Sequence, residues 1–419
     1  MRLKIGLLQI AALALVVAGC GGKTERSSGG GGTGGTSSGG AGADSGPTDS
    51  GGTAPTVACN LSLIASGALP QKGQRQVDSL AIAASADSFS IAYFEKNPMD
   101  GVSQDTALVN LPDNGQLGSV VRNEMPGCVG PAVSRGSAVT FDTTGSAGLA
   151  AFAVTNCSGS GAGAMFFALS ADGSPKSPKT ASANAFSRME FGSHALAPIG
   201  VDRFAFAYRV ATNAAPNAQL ATLTGDQFDG DVSVLFGALD AHDVAISTSV
   251  SVRGLIGHLT SGMELLQIGA SDTDAGADIQ KQLGIQPWGA VAAIGSRVAV
   301  MLPSAIGLQY QLFVGSSKSA FAMGTFKGAI YSLGDLAALG DRLIAVGANG
   351  KSLALYRLNN ATGTPATIVT SVQKFSGKIG TEPLPDIEQV AIAAARSTVA
   401  VVFAGKGSPG GWALFSCKG

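Results

Sequence analysis

Charged and aromatic side chains are scarce in this 419-residue sequence. Asp, Glu, Lys and Arg together make up 13% of the chain, and Phe, Trp and Tyr make up 6%. An average globular protein has about 25% charged residues. The formal net charge is −1, and Lys and Arg form no block, so the chain lacks the positive field that holds nucleic acid. We therefore expect no nucleic-acid partner.

Histidine and the common catalytic motifs are scarce as well. The three histidines, His194, His242 and His258, form no His-Glu-x-x-His motif, and the chain has no Cys-x-x-Cys pair. These spacings are the usual signatures of zinc sites, so no zinc site is predicted. Outside the glycine-rich stretch of residues 21–56, the Gly-x-Ser-x-Gly motif of serine hydrolases is also absent. The sequence therefore indicates no particular reaction.

Long helical periodicity is absent, whereas glycine is abundant. The 59 glycines are about twice the usual ~7% share, and glycine destabilises helix interiors. Short apolar runs rich in Val, Ile, Phe and Ala alternate with turn signals such as Asn349-Gly350, which is typical of strands and hairpins. We predict an all-β protein in which only residues 277–285 form one or two helical turns.

The first twenty residues have the pattern of an export signal. A basic start, Met1-Arg-Leu-Lys4, precedes an apolar stretch over residues 5–17, and Ala18-Gly19 stand immediately before Cys20. The apolar stretch is shorter than the ~20 residues that cross a bilayer, and small residues before a cysteine suit a signal peptidase. We predict a signal peptide over residues 1–19. An ordinary secretory signal that ends near a cysteine is the alternative.

The segment Val17-Ala-Gly-Cys20 resembles the lipobox of bacterial lipoproteins. The resemblance implies cleavage before Cys20, attachment of acyl chains such as palmitate to its thiol, and acylation of the new N-terminus. Several acyl chains anchor a protein stably in a membrane. In Gram-negative lipoproteins an Asp after the cysteine favours retention in the inner membrane. Because Gly21 stands there, the resemblance implies an outer-membrane lipoprotein on the periplasmic or the surface-exposed side.

A polar linker follows over residues 20–56. Residues 21–56 contain 14 Gly, 6 Ser, 6 Thr and 2 Pro, and no large apolar residue. Such a segment cannot bury enough apolar surface to offset the entropy of ordering it. We predict a flexible tether that spans on the order of 30–36 Å. Its composition after a lipobox resembles that of surface lipoproteins from myxobacterial-type bacteria.

Residues 57–419 contain a repeated hairpin. Three copies share an Ala-rich strand, a Gly-containing turn, an Arg and a second apolar strand, over residues 197–208, 292–301 and 337–346. Four weaker copies lie at 83–91, 139–152, 244–252 and 393–401. A third strand follows each copy, at 107–111, 164–170, 219–223, 263–268, 310–314, 353–358 and 412–415. The sequence thus predicts seven units in this domain.

A unit of three or four strands cannot bury both faces alone, so the seven copies must stack. Radial stacking gives a β-propeller, and Ala-rich first strands suit the crowded axis. We predict seven blades, the last one closed by the N-terminal strand; a pair of β-sandwiches is the alternative. Four cysteines besides Cys20 would lie in an oxidising compartment. We predict the disulfides Cys59–Cys417, as a clasp of the ring, and Cys128–Cys157, although four cysteines allow three pairings.

Two groups of polar residues are candidate sites. In a propeller, the loops that enter the innermost strands meet at one end of the axis. Such a mouth would suit a cationic or polyhydroxylated ligand, although the same residues could instead cap strands and turns. The mouth candidates are Asp78, His194, Asp240, His242, Asp243, Trp288, Asp335 and Glu388. Calcium is the one cofactor considered, at Asp272, Asp274 and Asp278 or, less well, in a second loop with Asp226, Asp229 and Asp231. The repeated Arg203, Arg297 and Arg342 are predicted to be turn or inter-blade residues.

The function expected from these features is that of a lipid-anchored, exported binding or scaffold module at the cell envelope. It would be a monomer with a membrane contact at Cys20 and a protein or glycan ligand. An enzyme is less favoured. The alternative is a hydrolase or lyase acting on an extracellular glycan or lactone, which rests on the fold alone.

Overall fold

The computed structural model describes residues 60–418. It leaves out residues 87, 100–103, 125–135, 155–161, 187–188, 212–215, 236–242, 250–251, 260–261, 270–278, 285, 287, 315–319, 328–329, 360, 362–368 and 406–407. Cys20, Cys59, Cys128 and Cys157 therefore lie outside the described residues. So do Asp240, His242 and the calcium candidates Asp272, Asp274 and Asp278.

Successive antiparallel sheets, here called blades, follow one another along the chain. Strand β1 spans Asn60–Ala68 and belongs to the last blade. Blade 1 contains β2 (Gln76–Ala84), β3 (Ser88–Lys96), β4 (Gln104–Pro112) and β5 (Val121–Glu124). Blade 2 contains β6 (Ser137–Phe141), β7 (Ala147–Val154), β8 (Ala162–Ser170) and β9 (Pro175–Phe186). Blade 3 contains β10 (Met189–Glu190), β11 (Leu196–Gly200), β12 (Arg203–Ala211), β13 (Pro216–Thr224) and β14 (Gln227–Leu235).

The remaining blades repeat this order. Blade 4 contains β15 (Asp243–Thr248), β16 (Val252–Leu259), β17 (Gly262–Gly269) and β18 (Ile279–Gly284). Blade 5 contains β19 (Ala290–Ile294), β20 (Arg297–Ser304), β21 (Gly307–Val314) and β22 (Ala320–Lys327). Blade 6 contains β23 (Leu333–Leu339), β24 (Arg342–Asn349), β25 (Ser352–Asn359) and β26 (Val369–Ser376). A ribbon of β27 (Lys378–Ile379) and β28 (Glu382–Pro383) precedes blade 7, which contains β29 (Ile387–Ala395), β30 (Thr398–Gly405) and β31 (Gly411–Lys418).

The blades form a closed ring. The first strands of consecutive blades contact each other from β2 through β6, β11, β15, β19 and β23 to β29, and β29 contacts β2. Seven sheets joined through their first strands in a circle are a seven-bladed β-propeller with those strands innermost. The predicted fold is therefore confirmed, and the pair of β-sandwiches is excluded.

The N-terminal strand closes the ring, as predicted. Strand β1 pairs antiparallel with β31, so that Leu61 lies opposite Cys417 and Ala68 lies opposite Gly411. It is thus the outer strand of blade 7, and the chain then crosses to the innermost strand of blade 1. Non-local pairing of this kind ties the first and last described strands of the chain together in one sheet.

The apolar core lies between the blades. Each of the described clusters joins two neighbouring blades; one, for instance, contains Val346 and Leu355 of blade 6 and Val401 and Phe415 of blade 7. Comparable clusters lie between blades 7 and 1, 1 and 2, 2 and 3, 4 and 5, and 5 and 6. Each blade is therefore held mainly by apolar burial against its neighbours.

The helical turns predicted for residues 277–285 are wrong. Residues Ile279–Gly284 form strand β18, which pairs with β17 as the outer strand of blade 4. The backbone groups of β17 need a partner along this edge, and such tertiary pairing overrides weak local helix propensity. Among the described residues, no helix is long and apolar enough to cross a membrane.

Candidate binding site at the mouth of the ring

The innermost strands begin at one common end of the ring, here called the mouth. Ser79, near the start of β2, contacts Ser137 at the start of β6, with 3.0 Å between the two hydroxyl oxygens. Gln389, near the start of β29, donates its side-chain amide to the carbonyl of Asp78 near the start of β2. Because strand starts meet strand starts, the predicted mouth residues lie at the same end of the ring.

The structure places the mouth candidates in different surroundings. Asp78 is the third residue of β2, and its carboxylate lies 4.0 Å from the Lys96 ammonium. Glu388 is the second residue of β29 and is exposed to solvent. Asp243 is the first residue of β15, but its side chain lies outside the described part of the chain.

The innermost strand of blade 3 is interrupted, and His194 lies in the interruption. Both β10 and β11 pair with β12, and residues 191–195 between them form a turn closed by a bond from the Ala195 amide to the Gly192 carbonyl, 3.2 Å long. The His194 carbonyl accepts a 2.8 Å bond from the Ile246 amide of blade 4. The break thus fixes the backbone of His194 at the mouth.

The side chains of His194 and Asp335 meet across the ring. His194 Nε2 lies 2.6 Å from Asp335 Oδ1, and the Asp335 side chain is only 3% exposed. Asp335 Oδ1 also accepts a bond from the Leu336 amide, and Oδ2 accepts one from the Ile392 amide of blade 7, both 2.7 Å. Blades 3 and 6 are not neighbours, so this contact crosses the axis. It joins blades 3, 6 and 7 at one point.

Trp288 links blades 5 and 6 beside this pair. Its indole nitrogen donates a 3.2 Å bond to the Tyr331 carbonyl. Gly334 lies against the ring so closely that an added Cβ would stand 2.2 Å from Trp288 Cη2. One part of the indole is therefore covered by the start of β23, and the residue contributes to packing between blades.

A buried charge cluster on blade 1 was not predicted. Glu95 is fully buried and accepts bonds from Nε and Nη2 of Arg122, at 3.0 and 2.8 Å. The Arg122 guanidinium also donates to the Pro70 carbonyl at 3.1 Å, and the hydrogen bond to Glu95 raises the pKa of Arg122. Nearby, Arg75 pairs with buried Asp105. These pairs fix loop 69–75, which connects the closing strand to blade 1.

The only sequence signal for that cluster is an acidic residue at the end of an otherwise apolar strand. Strand β3 reads Ser-Phe-Ser-Ile-Ala-Tyr-Phe-Glu-Lys, and a lone Glu in this position suggests solvent exposure. Its partner Arg122 lies on β5, two strands away in the sheet. The sequence does not show that the two side chains meet.

The acid-rich segment 225–231 was predicted as a loop, which is wrong. Gly225 and Asp226 form a turn, and residues Gln227–Leu235 are strand β14. Asp226 is buried and its Oδ1 accepts a 2.7 Å bond from Nε2 of the Gln227 side chain. A turn followed at once by a strand lacks the long wrapping loop that calcium ligands need. The better candidates, Asp272, Asp274 and Asp278, lie outside the described residues, so calcium stays a prediction there.

The repeated arginines lie at the end of the ring opposite the mouth. Arg203, Arg297 and Arg342 begin the second strands β12, β20 and β24. Arg297 donates from Nη1 to the Ala361 carbonyl after blade 6, and Arg342 Nη1 lies 3.6 Å from Cys417 Sγ in blade 7. Two of the three thus reach the following blade, in agreement with their prediction as inter-blade residues.

Cys417 is buried and disulfide-bonded. Its predicted partner, Cys59, stands one position before Asn60, which begins β1 and pairs with Lys418 at the end of β31. Both cysteines of the predicted Cys128–Cys157 bridge lie outside the described residues. The two pairings therefore stay predictions.

No family model and no curated protein matches this chain. Solved structures do match it. The WD40 repeats of RRP9 are 10% identical over 86% of this chain and 100% of theirs, with a TM-score of 0.48. The β-propeller domain of Myceliophteria thermophila Cps50 (Swd1) is 13% identical over 86% and 100%, with a TM-score of 0.44. A subtype N10 neuraminidase-like protein of A/little yellow-shouldered bat/Guatemala/060/2010 is 9% identical over 84% and 99%, also with a TM-score of 0.44.

Proposed function

We propose that this chain is an exported, lipid-anchored β-propeller that binds a protein or glycan partner through the mouth of its ring. The fold brings seven strand starts together at one end, and this single feature supports a binding surface there. Glu388 is exposed on this surface, and Asp78 and His194 lie beside it half-buried. Propellers commonly present their ligand sites at such a concave end.

The contacts of Asp335 with His194 and with two backbone amides favour binding over catalysis. Both carboxylate oxygens of Asp335 are engaged, by backbone amides and by His194. A carboxylate whose two oxygens already accept hydrogen bonds stabilises the shape of the mouth and is a poor general acid or base. The exposed carboxylate of Glu388 is then available to a cationic or polyhydroxylated partner.

Site-specific photo-crosslinking tests the binding surface. A photoreactive residue at position 388, in the mouth, is compared with one at position 201, where Val201 is 64% exposed in a turn at the opposite end. In living cells, we expect a discrete covalent adduct from position 388 and none from position 201. Equal adducts from both positions, or none from position 388, would contradict binding at the mouth.

Support for the lipid anchor comes from the first twenty residues alone. In a Gram-negative host fed radioactive palmitate, the full chain should incorporate label and fractionate with the outer membrane. The variant Cys20→Ser should lose the label, whereas Cys59→Ser should keep it. Label retained by Cys20→Ser would show that no acyl chain is attached at Cys20.

A second candidate is an envelope hydrolase or lyase acting on a glycan or lactone. The short contact between His194 and Asp335 favours it, because an imidazole beside a carboxylate is a common acid–base arrangement. The purified protein would then cleave a member of a glycan and lactone panel, and His194→Gln would lower the rate at least about a hundredfold. Equal turnover by His194→Gln would remove this support.

A further inference from the structure

The closing strand β1 runs from the end of the ring opposite the mouth up to the mouth. It pairs along its length with β31, so that Asn60 lies opposite Lys418 and Ala68 lies opposite Gly411. Strand β31 has the same direction as the innermost strand β29, because β30 is antiparallel to both. Since β29 starts at the mouth, Gly411 and Ala68 lie at the mouth end. Asn60, where the chain enters the sheet, therefore lies at the opposite end.

This direction decides how a pulling force acts on β1. The proposed function places an anchor before Asn60 and a partner at the mouth, so a force that separates the two acts along β1. In an antiparallel pair, the hydrogen bonds are perpendicular to the strands. A lengthwise pull therefore loads all the bonds between β1 and β31 together, whereas a pull across the strands breaks them one after another.

Apolar burial contributes little to the attachment of β1. Every residue of this strand is half-buried or exposed, and none is fully buried. As the outer strand of blade 7, it pairs with one neighbour, β31. Backbone hydrogen bonds and the loop that follows β1 must therefore hold it in place.

That loop, residues 69–75, is attached to blade 7 at the mouth end, and we call it the strap. The Leu69 amide donates to the Gly410 carbonyl at 3.1 Å, and the Gln71 side-chain amide donates to the Pro409 carbonyl at 2.7 Å. Both acceptors lie in the segment that leads into β31. The strap therefore begins where β1 ends, on the same blade.

The strap is attached to blade 1 as well. The Pro70 carbonyl accepts bonds from the Tyr93 hydroxyl at 2.5 Å and from Arg122 Nη2 at 3.1 Å. The Lys72 backbone amide donates to Glu95 Oε2 at 3.3 Å. Glu95 is fully buried and is itself bonded to Arg122. The mouth end of β1 is thus connected to two blades.

We propose that blade 7 and the strap form a mechanical clamp, which keeps the ring closed while force acts between the anchor and a partner at the mouth. The inference rests on the proposed function for these two points of attachment. Under a lengthwise pull, β1 moves only when its bonds to β31 break together and the strap gives way. Such a clamp suits a partner that is itself immobile, rather than a freely diffusing molecule.

Single-molecule force spectroscopy of the purified protein tests the clamp. One handle is attached in the predicted tether, at position 50, and the other either at position 388 in the mouth or at position 419 beside the start of β1. Reducing conditions are used, because the predicted Cys59–Cys417 disulfide would transfer the load directly to β31. We expect a severalfold higher first rupture force for positions 50 and 388 than for positions 50 and 419. Equal forces would overturn the proposal.

Three variants separate a clamp from general stability. Arg122→Met removes a bond to the strap and should lower the first rupture force for positions 50 and 388. It should leave the force for positions 50 and 419 unchanged, because peeling starts at Asn60 and reaches the strap last. Gln71→Ala should have the same directional effect, to a smaller extent, without leaving a buried charge unpaired. Asp142→Asn, distant from blade 7, should change neither force.

A fall in both forces with Arg122→Met and Gln71→Ala would show ordinary destabilisation and would contradict the clamp. Should Arg122→Met fail to fold, Gln71→Ala alone decides between these outcomes. The crosslinking and palmitate experiments test the mouth and the anchor separately. Loss of the force difference would therefore contradict the clamp and leave the proposed function standing.

Discussion

Blades 1 and 6 each contain a half-buried arginine, and the two arginines differ in their partners. Arg122 of blade 1 forms bonds from two nitrogens to the fully buried Glu95, and this hydrogen bonding raises its pKa. Arg357 of blade 6 has no partner for its buried Nη1, and burial lowers its pKa. The comparison shows that the environment of a partly buried arginine depends on which side chains the neighbouring strands supply: an acidic partner in blade 1, and none for Nη1 of Arg357 in blade 6.

The largest effect is expected from Arg122→Met. Removing the guanidinium leaves the Glu95 carboxylate buried without its counter-charge, and loop 69–75 loses one of its attachments. We expect a loss of about 3–5 kcal/mol in the free energy of unfolding, measured with denaturant. The double variant Glu95→Met with Arg122→Met should recover part of that loss. A loss below about 1 kcal/mol in Arg122→Met would show that Glu95 is not held by this pair.

Asp335→Asn extends the comparison to the mouth. The carboxylate of Asp335 accepts from two backbone amides and contacts His194, so an amide nitrogen would face a donor on one side. We expect a loss of about 2–3 kcal/mol in the free energy of unfolding. His194→Gln should cost less, because it leaves both backbone bonds in place. Equal losses in the two variants would show that the contact across the axis carries the whole effect.

Asp142, at the end opposite the mouth, should make a smaller contribution to the free energy of unfolding, and this contribution should depend on pH. Burial acts to raise its pKa, but hydrogen bonds from the Asp202 amide, the Thr144 hydroxyl and the Ser146 amide outweigh burial and leave the pKa lowered. Its stabilising contribution is therefore present above the unfolded-state pKa of about 3.9 and is lost as the pH falls through the lower folded-state value.

Asp142→Asn should cost about 1 kcal/mol at pH 7 and close to nothing at the lowest pH at which the wild type stays folded. Denaturant unfolding of both proteins between pH 7 and pH 2.5 measures the difference. If the gap between the two curves stayed constant over this range, the ionised form of Asp142 would not be the stabilising one.

Arg357→Met should have the smallest effect. Replacing an uncompensated guanidinium by an apolar chain of similar length removes its desolvation cost, so the free energy of unfolding should stay unchanged or rise by up to about 1 kcal/mol. Measured beside Arg122→Met in the same buffer, this result would complete the contrast between the two arginines. A loss as large as that of Arg122→Met would mean that Arg357 has a compensating partner.

The number of blades could be predicted because each unit carries the same local signals. Arg203, Arg297 and Arg342 begin equivalent second strands, and all seven predicted third strands lie within β4, β8, β13, β17, β21, β25 and β31. Strand β18 could not be predicted, because its local sequence is compatible with a helix and only the open edge of β17 selects a strand.

The candidate site could be predicted only in part. The sequence placed Asp78, His194, Trp288, Asp335 and Glu388 at the starts of innermost strands, and the structure finds them at or beside those starts. It did not show that His194 and Asp335 touch, because that contact depends on the break in blade 3 and on the width of the ring. The pairing of Glu95 with Arg122 likewise depends on sheet order.

The sequence by itself determined the repeated hairpin, the number of blades and the closing role of the N-terminal strand. These features follow from local periodicity and turn residues, which act over a few positions of the chain. Only the tertiary structure decided which polar groups meet: His194 with Asp335 across the axis, Arg122 with Glu95 within blade 1, and Arg357 with no partner. The physical reason is that burial between blades removes water from groups far apart in sequence, and their energies then depend on the partner that ring closure brings to each.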